Sequence, residues 1–142
     1  MNQGSNMRSF EILEHAADLK IKVWGKDLPE LFKNAAFAMF AAATGKQLKI
    51  ENLKLKIKKL EVSGTDYESL LVNFLNELLY LSDVNNRGYQ VLDLEIRNLA
   101  LKAKLSTYPL PPLEVEIKGA TYHDLKIKKL DKKYETVIVF DI

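Results

Sequence analysis

Four stretches of this chain carry side chains able to do chemistry. His15-Ala16-Ala17-Asp18 sets an aspartate between small residues and the start of an alternating segment. An aspartate so placed is either a turn residue that accepts backbone N–H groups or a free carboxylate ligand. The chain closes on Val137-Ile138-Val139-Phe140-Asp141-Ile142. Alternation puts Phe140 and Ile142 on one face of that strand and Asp141 on the other. The main-chain carboxylate of Ile142 lies next to the Asp141 carboxylate, and two anions that close repel unless a cation sits between them. A hard divalent ion satisfies them best, because calcium and magnesium prefer carboxylate oxygens. A lysine would do the same less specifically, and a frayed terminus would need nothing. Thr121-Tyr122-His123-Asp124 offers a second histidine: a ligand, an acid/base group, or a packed hydrogen-bonding side chain. The fourth feature is a set of lysine runs at Lys54, Lys56, Lys58 and Lys59, at Lys102 and Lys104, and at Lys126, Lys128, Lys129, Lys132 and Lys133. On one shared face they could follow phosphates.

Other chemistry is excluded. The chain has no cysteine, hence no disulfide, thiolate zinc site or iron–sulfur cluster. It has no glycine-rich phosphate loop, no G-x-S-x-G elbow and no H-E-x-x-H helix. Net charge is +2, from 21 basic and 19 acidic residues, too little to demand a polyanionic partner. Of the basic residues only Arg8, Arg87 and Arg97 are arginines, the usual choice for phosphate recognition. No apolar run approaches the roughly 20 residues of a membrane span, and the polar start lacks a secretory signal, so a cytoplasmic address is expected.

The elements that must position these residues follow from periodicity. At 142 residues and 47% hydrophobic, the chain suits one globular domain. Residues 1–6 read as an extension, disordered or a cloning scar, and 7–142 as the domain. Phe10 to Glu14 reads as a strand, and Leu19, Ile21 and Val23 as the inner face of another. Asp27 with Glu30 forms a capping box for a helix whose apolar stripe runs from Leu28 to Ala43, with Gly45 as its stop. A strand with a bulge, or two short strands, covers 53–62. Thr65 with Glu68 caps a second helix bearing Leu70, Leu71, Phe74, Leu75 and Leu78. The rest reads as strands, with breaks at Asn98, at the Tyr108–Pro112 loop and at Gly119. Leu113, Val115 and Ile117 form one of them, Leu125 and Ile127 begin another, and Tyr134 to Ile142 is the last. No internal repeat is evident. The expected fold is α+β: a single domain, two amphipathic helices packed on mostly antiparallel β-sheet of about eight strands.

Four of these stretches, in order, resemble the archease family. They are His15-Ala16-Ala17-Asp18 with Gly25-Lys26-Asp27-Leu28; Leu70 through Leu81, reading LLVNFLNELLYL; Lys118 through His123; and Val139-Phe140-Asp141-Ile142. Ala16 departs from the threonine common there, and Leu19-Lys20 from isoleucine-glycine. The resemblance implies a chaperone-like accessory protein, not itself an enzyme, that activates the RtcB-type RNA ligase of tRNA splicing and RNA repair. That ligase joins a 3′-phosphate or 2′,3′-cyclic phosphate end to a 5′-hydroxyl with GTP and manganese, through a guanylylated histidine of its own. The accessory protein would speed guanylylation, sustain turnover and meet tRNA only through the ligase. The resemblance also implies a divalent ion, seen as calcium, with magnesium or manganese as alternatives, on Asp18, Asp141 and the Ile142 carboxylate. His15 and His123 would be supporting partners of those ligands. An RNA-binding module on the lysine faces and a metal-dependent phosphoesterase using Asp18, Asp141 and His123 are the alternatives.

Overall fold

A computed structural model describes residues 9–14, 17–47 and 57–142, with only the backbone of Glu14. Eight strands and two helices follow in the order β1 (Phe10–Glu14), β2 (Leu19–Gly25), α1 (Leu28–Thr44), β3 (Lys58–Ser63), α2 (Tyr67–Asn85), β4 (Arg87–Arg97), β5 (Ala100–Pro109), β6 (Gly119–Ala120), β7 (Lys128–Lys129) and β8 (Tyr134–Asp141). One sheet has the order β1-β2-β8-β6, with β7 also paired to β8; the other is β3-β5-β4. Every pairing among the described residues is antiparallel. The α+β expectation therefore holds in class, helix number and strand number.

The helices join the sheets. α1 packs on β1, β2 and β8 of the first sheet and on β4 of the second; α2 touches β3, β4 and β5 of the second and β6 of the first. No strand of one sheet contacts a strand of the other among the described residues. A helix held between two sheets must be apolar nearly all round. α1 meets that demand with Leu31, Phe32, Met39 and Phe40, and with six buried alanines from Ala35 to Ala43. Phe32 of α1 stacks on Phe74 of α2 at 6.1 Å between ring centroids.

At α1 the Asp27 cap follows the sequence pattern, but the box does not close, because the Glu30 carboxylate accepts the Lys26 N–H at 2.9 Å and not that of Asp27. The Glu30 N–H donates to Asp27 Oδ1 at 2.8 Å, and Gly45 ends the helix with φ +71°. In α2 the capping pair shifts by one residue from the expected Thr65 and Glu68. Asp66 is the N-cap and Ser69 closes the box, because the Glu68 carboxylate is engaged elsewhere and accepts the Ile127 N–H at 3.0 Å.

A repeat that residue identities conceal is visible in the backbone. Gly25-Lys26-Asp27 leads into α1 as Gly64-Thr65-Asp66 leads into α2, 39 positions later. A Cβ on Gly25 would lie 2.5 Å from the Leu31 amide nitrogen, and one on Gly64 would lie 2.6 Å from that of Leu70. Asn34 Nδ2 donates to the Trp24 carbonyl at 2.8 Å, and Asn73 Nδ2 to the Ser63 carbonyl at 2.9 Å. Each unit thus folds a helix back on its strand through a glycine contact and an asparagine ten residues on.

Two expected strands are corrected. Leu113, Val115 and Ile117 belong to an irregular strap. Its donors turn from a ladder to the end of α1, where the Glu114 and Val115 N–H groups both reach the Ala43 carbonyl at 2.8 and 3.1 Å. The strand expected from Leu125 is only the two-residue β7, which begins three residues further on, because Leu125 N–H closes a turn on the Tyr122 carbonyl. The part of the 53–62 strand before Ile57 lies outside the described residues, as do residues 1–6. The Asn98 break is a hairpin turn with Asn98 at φ +51° and Leu99 at +62°. Left-handed backbone is costly for leucine and natural for glycine. Leu99→Gly should raise unfolding stability by about 1 kcal/mol, read as a higher urea midpoint at unchanged slope.

Burial pushes the Tyr108 phenol up to about 12 from its ordinary 10.0. The unfolded chain then releases this proton first, so stability is retained below pH 10 and lost as pH rises from 10 toward 12. Tyr108→Phe should flatten that part of the alkaline limb in pH-dependent denaturation curves.

Candidate metal centre

The β2–β8 ladder decides what meets what. It runs from Gly25 opposite Tyr134 to Leu19 opposite Phe140. Asp18 immediately precedes Leu19 and Asp141 immediately follows Phe140, so both flank the last pair of this ladder. Directly opposed residues of antiparallel strands project from the same face, with Cβ atoms about 4.5–5.5 Å apart. Leu19, Ile21, Val23, Ile138 and Phe140 line the inner face and are buried. By alternation Asp141 falls on the outer face and is exposed, while Asp18 lies in the bend just before β2 and is half-buried. Ile142 turns inward and packs against the core, which anchors the main chain just beyond Asp141.

On the far side of Asp141 lies β6, with Gly119 opposite Asp141 and Ala120 opposite Phe140. The Lys118 N–H donates to the Asp141 carbonyl at 2.8 Å, and the Thr121 N–H to that of Val139 at 3.0 Å. Asn76 of α2 closes this edge. Its Oδ1 accepts the Ala120 N–H at 2.8 Å, and its Nδ2 donates to the Ala120 carbonyl at 3.2 Å. In sequence Asn76 was only one letter of the helix motif; its partner is 44 residues away, and no local pattern signals it.

The two histidines fare differently. His15 lies outside the described residues. His123 is exposed, with Nε2 at 3.3 Å from Asp124 Oδ2. The chain runs past β8 in the sense that takes Thr121 to Val139, away from Asp141. Tyr122 beside it ties back to α2, its hydroxyl 3.2 Å from Asn73 Oδ1.

No three His, Cys, Asp or Glu side chains gather as a metal cage among the described residues. A divalent ion here would rest on the Asp18 and Asp141 carboxylates and a main-chain carboxylate at Ile142. All are hard oxygen donors of the kind calcium, magnesium and manganese take, so the donor chemistry fits. They are too few to fill six or more positions, which leaves room for waters or another molecule.

Part of the lysine runs falls into charge lattices. On the outer face of the second sheet, Asp93 opposes Lys104, which opposes Lys59; Glu95 opposes Lys102, which opposes Glu61. Three lysines meet three carboxylates there, with Lys102 Nζ 3.9 Å from Glu61. On the first sheet Glu135 takes both Lys22 and Lys133 at 3.9 Å, and Lys133 also lies 5.6 Å over the Trp24 ring. Lys54 and Lys56 lie outside the described residues. Among the described residues no helix is long and apolar enough to cross a membrane.

Residues 10–142 match the model of the Archease protein family (MTH1598/TM1083). The archease of Pyrococcus abyssi is 37% identical over 145 residues, spanning 96% of this chain and 100% of that protein. That of Pyrococcus furiosus is 38% identical over 146 residues, with 96% and 100% covered. Protein 1598 of Methanobacterium thermoautotrophicum, solved in solution, superposes with a TM-score of 0.67 at 25% identity, covering 94% of this chain and 99% of its own. A crystal structure from Thermotoga maritima, described as an archease and possible chaperone, gives 0.64 at 21% identity, covering 93% and 96%. This chain belongs to the archease family.

Proposed function

We propose that this protein is a non-catalytic activator of a GTP-dependent, RtcB-type RNA ligase in tRNA splicing and RNA repair. It promotes guanylylation of the ligase and repeated turnover, acting in the cytoplasm and meeting tRNA through the ligase. The observation that carries this reading is the β2–β8 ladder that ends at Leu19 opposite Phe140, flanked by Asp18 and Asp141, in a chain of the archease family. Two carboxylates and the main-chain carboxylate of Ile142 converging there would repel one another, and a divalent ion would relieve the repulsion. Calcium, magnesium or manganese bound there supplies a positive centre with open coordination positions. Asp18 and Asp141 orient it outward, and the partly buried Ile142 side chain anchors the strand end to the core. An ion held by few protein oxygens can contact a ligand of another active site, which suits an accessory protein. The description of the Thermotoga relative as a possible chaperone is consistent with action on a partner.

The RNA-binding alternative is weakened by the charge lattices, since lysines already paired across strands neutralise few phosphates. The purified protein should bind tRNA weakly, with little change in affinity between 50 and 200 mM salt by filter binding. A steep loss over that range would favour the lysine faces instead.

The central test is a guanylylation assay of the cognate ligase. Asp18→Ala and Asp141→Ala should fold normally by circular dichroism and lose stimulation about tenfold or more each, as expected for removal of an ion ligand. Full stimulation by a folded double variant overturns the proposal. A residue appended after Ile142 should impair stimulation as well, because the carboxylate becomes an amide.

A further inference from the structure

Building on the terminal-carboxylate reading, we infer that Asn76 is a positioning residue: its carboxamide stands in for a neighbouring strand and holds β6 in register against Asp141. β6 is two residues long. A strand so short cannot hold its register on its own ladder bonds. In the register observed, the pair Ala120–Phe140 exchanges no bonds, because the Thr121 N–H takes the Val139 carbonyl. The N–H and carbonyl of Ala120 therefore point to the open edge of the sheet. Asn76 meets both, at 2.8 and 3.2 Å. Its side chain issues from α2, which the buried Leu75 and Leu78 lock into the core. The rigidity of the helix thus passes through one amide to β6, and from β6 through the Lys118 N–H to the Asp141 carbonyl. Asn76 touches none of the proposed ligands, yet it fixes the main chain on the side of Asp141 that β2 leaves uncovered.

Asn34 supplies the control. It makes a comparable helix-to-strand bond to Trp24, at the other end of β2 from Asp18. Asn76→Ala and Asn34→Ala should lose similar stability, while only Asn76→Ala alters the terminal site. Two measurements separate the possibilities. Amide exchange at Lys118 and Thr121, whose bonds to β8 do not involve Asn76, should quicken about tenfold or more in Asn76→Ala and stay unchanged in Asn34→Ala. Calorimetric titration with calcium and with manganese should show affinity falling about tenfold in Asn76→Ala alone. If the alanine variant does not fold, Asn76→Ser, which keeps one hydrogen-bonding group, takes its place. Unchanged exchange at both amides in a folded variant overturns the inference. Absence of metal binding by the wild type overturns the terminal metal reading instead, and the exchange rates alone then decide the role of Asn76.

Discussion

The pairing of β2 with β8 is the constraint on which the rest of this structure depends. It is the central contact of the first sheet, and it joins a strand near the start of the chain to the one at its end. Such a long-range pairing carries a large loop-closure cost, repaid only by what it buries. Leu19, Ile21, Val23, Ile138 and Phe140 all lie on its inner face with almost no exposure. Side chains alternate strictly, so a slip of one residue would expose all five. Their burial locks the register, and the same register ends the ladder at Leu19 and Phe140, beside Asp18 and Asp141. The site is set by apolar packing on the opposite face from the carboxylates.

That packing is made by the helices. With no strand of one sheet touching the other among the described residues, α1 and α2 are the described elements that pack on both sheets. The alanines of α1 permit close approach, while the Phe32–Phe74 stack fills the middle. α2 does more than fill space. Asn73, Asn76 and Glu68, spread over its first half, bind Tyr122, Ala120 and Ile127 in turn. Residues 119–127, which have little regular structure of their own, are thereby moulded on one face of a helix.

Cross-strand charge pairing shapes the surface in the same way. Lysines that look like basic runs along the chain fall opposite aspartate and glutamate once strands are paired. Exposed pairs of this kind contribute little stability each, but they cancel the local potential.

Much of this was legible in the sequence where the physics is local. Alternation marked β2 and β8, because a half-buried strand repeats every two residues. Asp27 and Glu30 marked the start of α1, because a cap satisfies donors within one turn. The α2 cap was misplaced by one residue because Asp66 and Thr65 are equally able to accept, and the choice was made by Ile127, which claims Glu68 from 59 positions away. The alternation of Leu113, Val115 and Ile117 correctly marked inward-facing residues for Val115 and Ile117 but not a strand, since periodicity says nothing of where backbone donors go. Residue types and family resemblance singled out Asp18, Asp141 and Ile142 as acids suited to a cation. Only the tertiary structure put the strand ends next to Asp18 and Asp141 side by side, set acids opposite Lys102 and Lys104 and made Asn76 the edge of a sheet. Side-chain chemistry belongs to each residue by itself, whereas proximity belongs to the register, and register is decided by what the whole chain buries.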